Sequence, residues 1–143
     1  MKRFAVSLCL LFPFLAAAEW SIQVQGFPRH ADASALVRCL SAELGQIRGL
    51  RVVRRHPDLL VKLTLSPAPV NGIDYMISAI LLHRQGLDVG AAAYAAQPPT
   101  RVDGYLIDDI VLTLGRKADT GPLCRDLALS VARRYGLAPT LSH

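Results

Sequence analysis

Most of the short patterns that carry chemistry are missing from this chain. It has no GxSxG, HExxH or GxGxxG and no P-loop. The usual nucleophile-elbow, zinc-hydrolase, dinucleotide and phosphate-cradle mechanisms therefore have no local support. It has no CxxC, which removes a thioredoxin-type redox role. Its histidines, His30, His56, His83 and His143, are not spaced as a metal site, and no cofactor is expected. After the N-terminal segment no apolar run reaches the ~20 residues that span a bilayer. Repeats and low-complexity segments are absent. Lysine is scarce too: after Lys2 only Lys62 and Lys117 remain, and every other basic residue is arginine.

What is present begins at the N-terminus. Lys2 and Arg3 precede a nearly unbroken apolar stretch from Phe4 to Leu15, and Ala16, Ala17 and Ala18 follow it. A basic start, an apolar middle and small residues before the first acid make the three-part pattern of a secretory signal. The expectation is a signal peptide over residues 1–18, cleavage near Ala18, and a single exported domain over residues 19–143 in the periplasm or outside the cell. No stable membrane insertion is expected once the signal is removed. A lipoprotein would need a small residue before Cys9, where Leu8 stands.

Cleavage changes the inventory. The 16 basic and 11 acidic side chains lose Lys2 and Arg3, leaving a net charge of about +3, too mild for a nucleic-acid footprint. About 125 residues remain, enough for one domain with a core. Cys9 leaves, so Cys39 and Cys124 form an even pair that reads as one disulfide in an oxidising compartment. It closes a loop of about 86 residues, worth roughly 4–5 kcal/mol at most in the chain-entropy account.

Along the domain, Ser21 to Gly26 alternates polar and apolar as a strand. Ala33, Val37, Leu40, Leu44 and Ile47 recur at helical spacing up to about Arg48, with Asp32 or Ser34 as cap and Gly49 as stop. Strands are expected at Leu50 to Arg55, Leu59 to Ser66, Ile73 to Arg84 and Asp88 to Ala96. Residues 67–72 read as a loop and Gln85-Gly86 as a hairpin turn. Leu106, Ile107, Ile110, Val111 and Leu114 suggest a helix from Asp103 to Leu114. A last helix runs from Thr120, with Pro122 in its first turn, to Gly136. The reading is an α+β fold in the order β-α-β-β-β-β-α-α: a five-stranded, mainly antiparallel sheet with helices packed on one face. A Cys39–Cys124 bridge requires the first and last helices to share that face.

In the segments PDLLVKLTLS, DYMISAILLHR and PLCRDLALSVARRYG the chain resembles small exported bacterial α/β proteins of uncharacterised function. The resemblance implies a compact exported fold and carries no active site with it.

Three groups of residues are candidate sites. Arg48, Arg51, Arg54 and Arg55, followed by His56, could form a patch for an anionic partner; the simpler reading is charge that protects an edge strand. Asp108 and Asp109 are adjacent acids, but on a helix they diverge by about 100° and cannot converge on one atom. The Ile73–Arg84 and Asp88–Ala96 segments are apolar or small on both faces. Either a helix covers each face or one face is left open as a partner surface. No catalytic residue is assigned. The expected function is a non-enzymatic, partner-binding accessory module of the cell envelope, acting on a protein partner or as a homodimer. The alternatives are an envelope hydrolase with an unrecognised site and an inhibitor or immunity protein against an exported toxin.

Overall fold

A computed structural model describes residues 19–27, 31–89 and 100–138. The expected signal peptide and residues 90–96 of one expected strand lie outside the described residues. The elements are β1 (Trp20–Phe27), α1 (Ala31–Leu44), β2 (Leu50–Val52), β3 (Leu59–Val70), β4 (Ile73–Val89), β5 (Thr100–Gly115), a 3-10 turn (Lys117–Asp119) and α2 (Thr120–Arg134). They form one α+β unit around a five-stranded sheet in the order β2-β1-β3-β4-β5.

The sheet is mixed. β1 lies parallel to both β2 and β3, while β3–β4 and β4–β5 are antiparallel. Ile22 sits opposite Val52 on one side and Leu59 on the other, so residues 53–58 cross over β1 between the two strands. The crossing is tied down from below. Gln23 Nε2 donates to the Arg54 carbonyl at 2.8 Å, and Ser21 Oγ donates to Asp58 Oδ2 at 2.6 Å. From β5, the Tyr105 hydroxyl donates to the Pro57 carbonyl at 2.9 Å.

Both helices cover one face. Leu36, Leu40 and Leu44 of α1 and Leu127, Ala128 and Val131 of α2 close over Ile22, Val24, Leu59, Val61, Leu63, Ile77, Ala79 and Leu81. Ile22, Leu40, Leu44, Leu59 and Leu63 are fully enclosed, and burying each such side chain contributes about 1.5–3 kcal/mol. Cys39 of α1 and Cys124 of α2 are joined, with Cα atoms 6.0 Å apart, within the span a disulfide bridges. The pairing and the shared helix face are those expected from the sequence. Gly26 lets α1 approach closely, since a Cβ there would stand 2.8 Å from Val37 Cγ2.

Four local expectations are corrected. Residues 103–114 are strand, not helix, so two α-helices are described and not three. The residues are rich in β-branched side chains, and a bulge disrupts their alternation: Leu81 faces Asp109 and Leu82 faces Ile107, with Asp108 the extra residue. Residues 67–72 are not an open loop. β3 runs to Val70 and turns at once through Asn71 and Gly72, at φ 53° and 78°, the two positive angles of a tight hairpin. Gln85-Gly86 is not a turn; β4 passes straight through, with Gln85 opposite Gly104 and Gly86 opposite Asp103, and it includes Asp88 and Val89. The strand expected at Leu50 to Arg55 is only three residues long.

Candidate functional site: an uncovered sheet face beside β5

The face turned away from the helices divides in two. Near β1 the crossing segment and Tyr105 shield it, and Leu60 and Leu82 are buried there. Toward β5 nothing among the described residues covers it. Met76 of β4 and Ile107, Ile110, Leu112 and Leu114 of β5 stand open, from 46% exposed at Met76 to 69% at Leu112. The pairing places them on one surface: Met76 is opposite Leu114, Ser78 opposite Leu112 and Ile80 opposite Ile110. The intervening residues, Val111 among them, turn to the core. Five large apolar side chains exposed together on one sheet surface form the kind of patch that marks an interaction site. β5 is also the last strand of the described sheet, so its outer backbone groups have no partner strand there. The sequence left two arrangements open, and among the described residues the face toward β5 is bare.

On the helix side the bulge performs a second task. It turns Asp108 inward, where Oδ1 lies 2.6 Å from His83 Nδ1 and Oδ2 accepts the Tyr135 hydroxyl. Arg134 donates to the Asp108 carbonyl at 3.1 Å, and Trp20 stacks on Tyr135 with ring centroids 5.5 Å apart. A carboxylate only accepts, so Nδ1 carries the proton. Burial pushes the Asp108 carboxyl up, but the hydrogen bonds from Tyr135 and His83 outweigh it, and the carboxyl titrates below its ordinary value. Burial, then the bond to Asp108, raises Tyr135. A histidine held by an acid can polarise water at Nε2, but that chemistry needs a recess where substrate meets the ring. Two recesses on the helix side are lined by other residues. The trio ties the β5 bulge to the end of α2. Sequence reading missed it because the partners are 25 and 27 residues apart and a helix was assigned where the strand runs. The available signal was an acid pair inside a β-branched run.

The larger of those recesses, about 250 Å³, opens beside the start of α2 and is lined by Asp32, Leu36, Tyr75, Arg116, Lys117 and Thr120. Asp32 pairs with Lys117 Nζ at 3.0 Å and accepts the Tyr75 hydroxyl; these bonds raise the pKa of both Lys117 and Tyr75. The Lys117 charge is thereby matched, whereas Arg116 has no ion pair among the described residues. Among the described residues no group of three or more His, Cys, Asp or Glu could hold a metal ion, and no helix is long and apolar enough to cross a membrane.

The arginines do not form one face. Arg51 lies on β2, 3.6 Å from the Glu19 carboxylate. Arg48 follows α1, and Arg54 and Arg55 sit in the crossing segment. All four are exposed, but only Arg51 stands on the edge strand β2, at the opposite side of the sheet from β5.

Asp58, in the same segment, is held by hydrogen bonds from the Ser21 hydroxyl and backbone and by Arg84 at 3.0 Å, and its pKa is lowered from 3.8. A depressed folded-state value contributes stability above the unfolded pKa and loses it as the pH falls through the lowered one. Urea unfolding followed from about pH 6 to pH 2 should therefore show stability falling below the ordinary value of 3.8. Asp58→Asn should shrink that fall; an identical acid limb in the variant would contradict the assignment.

No family model, no curated protein and no solved structure matches this chain.

Proposed function

We propose that the protein is an exported, non-enzymatic module that binds another protein chain through the open face and edge of β4 and β5. One observation carries the reading. Met76, Ile107, Ile110, Leu112 and Leu114 share an uncovered surface while the opposite sheet face is sealed by two helices joined by a disulfide. Large contiguous apolar patches are kept where they are covered in use, and an unpaired edge offers a partner main-chain hydrogen bonds as well. The secretory pattern at residues 1–18 and the Cys39–Cys124 pair support an envelope location.

A photoreactive amino acid at position 112, introduced into the full chain in living cells, should cross-link to protein on irradiation. The same probe at Arg55, on the exposed segment that crosses β1, should give little product. Equal labelling at both positions, or none at 112 in folded protein, would sink the proposal.

A further inference from the structure

We infer that the chain pairing with the open β5 edge beside this surface is a second copy of the same protein, antiparallel along β5 about a two-fold axis at Leu112. The inference rests on the docking reading above and names its partner.

Three observations select a second copy. Residues 110–114, Ile-Val-Leu-Thr-Leu, carry no charge, proline or glycine, and an edge of that composition pairs readily with its own kind. The bulge at Asp108 interrupts the regular edge, and the 3-10 turn begins at Lys117, so the clean edge runs from Asp109 to Gly115. An antiparallel pairing of this segment with itself is centred on Leu112. That register sets Leu112 against Leu112 of the copy and Ile110 against Leu114 of the copy, so these side chains touch across the joined edge while the apolar face beyond them stays open to a further partner.

Charge supplies the third argument. Asp109 and Arg116 are exposed, and neither makes an ion pair among the described residues. Asp109 lies toward the helices beside Leu127 and Ser130, whereas the Arg116 guanidinium lies over the Gly72 turn and must swing outward to meet the copy. With Leu112 on the axis, Asp109 falls opposite Gly115 of the copy and one residue from its Arg116. The two-fold repeats the contact, so opposite charges meet twice on the helix side while apolar side chains meet on the other. A closed, isologous interface of this kind extends two five-stranded sheets into one of ten and leaves neither copy of β5 as an edge.

The test uses protein purified after expression of the full chain. Sedimentation should give twice the protomer mass. Asp109→Arg or Arg116→Asp alone brings like charges together and should weaken the dimer by about tenfold or more, and the double exchange should restore most of the loss. Under oxidising conditions Leu112→Cys should form an intermolecular disulfide, whereas Val102→Cys, outside the paired segment, should not. A protein that stays monomeric at all concentrations overturns the inference. So does a dimer that ignores both single exchanges and fails to cross-link through Leu112→Cys. If the purified protein is monomeric while the probe at 112 still captures a different protein, the inference fails and the docking reading stands. If the probe captures nothing as well, both fail.

Discussion

Removing the bridge by replacing Cys39 and Cys124 together with alanine should lower the unfolding free energy by about 2–5 kcal/mol. The two cysteines lie 85 residues apart in sequence, so the bridge forbids most of the expanded conformations that the open chain would sample. Only a small part of the loss is expected from packing, because Cys124 is fully buried but small. Urea unfolding of the oxidised protein against the double variant measures it. A difference under about 0.5 kcal/mol would mean that the unfolded chain is already restricted by residual structure. Reduction of the native protein should reproduce the variant. A much larger loss in the variant than on reduction would assign the effect to the removed side-chain volume.

Leu40→Ala should cost a comparable amount, about 2–5 kcal/mol. Leu40 is wholly enclosed, with Val61 and Leu81 of the sheet and Leu127 and Val131 of α2 around it. It therefore stands where α1, α2 and the sheet meet, and neither helix can close the space without moving off the other. Truncation removes the transfer free energy of three carbons and leaves a cavity that the disulfide-linked helices cannot collapse into freely. Arg55→Ala, on the exposed crossing segment, should stay within about 0.5 kcal/mol. Equal losses for the two substitutions would mean that the core is not centred where α1 and α2 meet the sheet.

Much of this architecture was legible in the residues, and the parts that were not share a cause. The α1 stripe through Leu40 and Leu44 and the alternation from Leu59 to Leu65 are unbroken, so their periods identified them. β5 was hidden because one inserted residue, Asp108, moves the apolar positions from one alternation phase to the other. Across that step Leu106, Ile107, Ile110, Val111 and Leu114 acquire helical spacing by accident. The two glycine turns separate on similar grounds. Asn71-Gly72 and Gln85-Gly86 look alike, but asparagine tolerates a positive φ far better than glutamine does, and only the first pair is a hairpin.

The candidate site was half legible. The doubly apolar character of residues 73–84 pointed to a surface needing cover. Which face stayed bare depended on whether residues 103–114 were a covering helix or another strand, and the residues alone favoured the wrong element. The His83–Asp108–Tyr135 cluster depended on the same choice, since only the β4–β5 register brings its members together.

The central place of β1 has a consequence for how the molecule is assembled. The β3–β4–β5 meander is linked by near neighbours in sequence, beginning with a two-residue turn, and loop closure there costs little. β1 has parallel neighbours on both sides, and its longer pairing, with β3, joins Ile22 to Leu59 across the whole of α1. Synthesis delivers β1 first, yet until residues 59–64 are made it has only the three residues of β2 to pair with. The first strand made therefore waits on a partner beyond the helix that follows it, and the oxidation of Cys39 with Cys124 waits for the final helix.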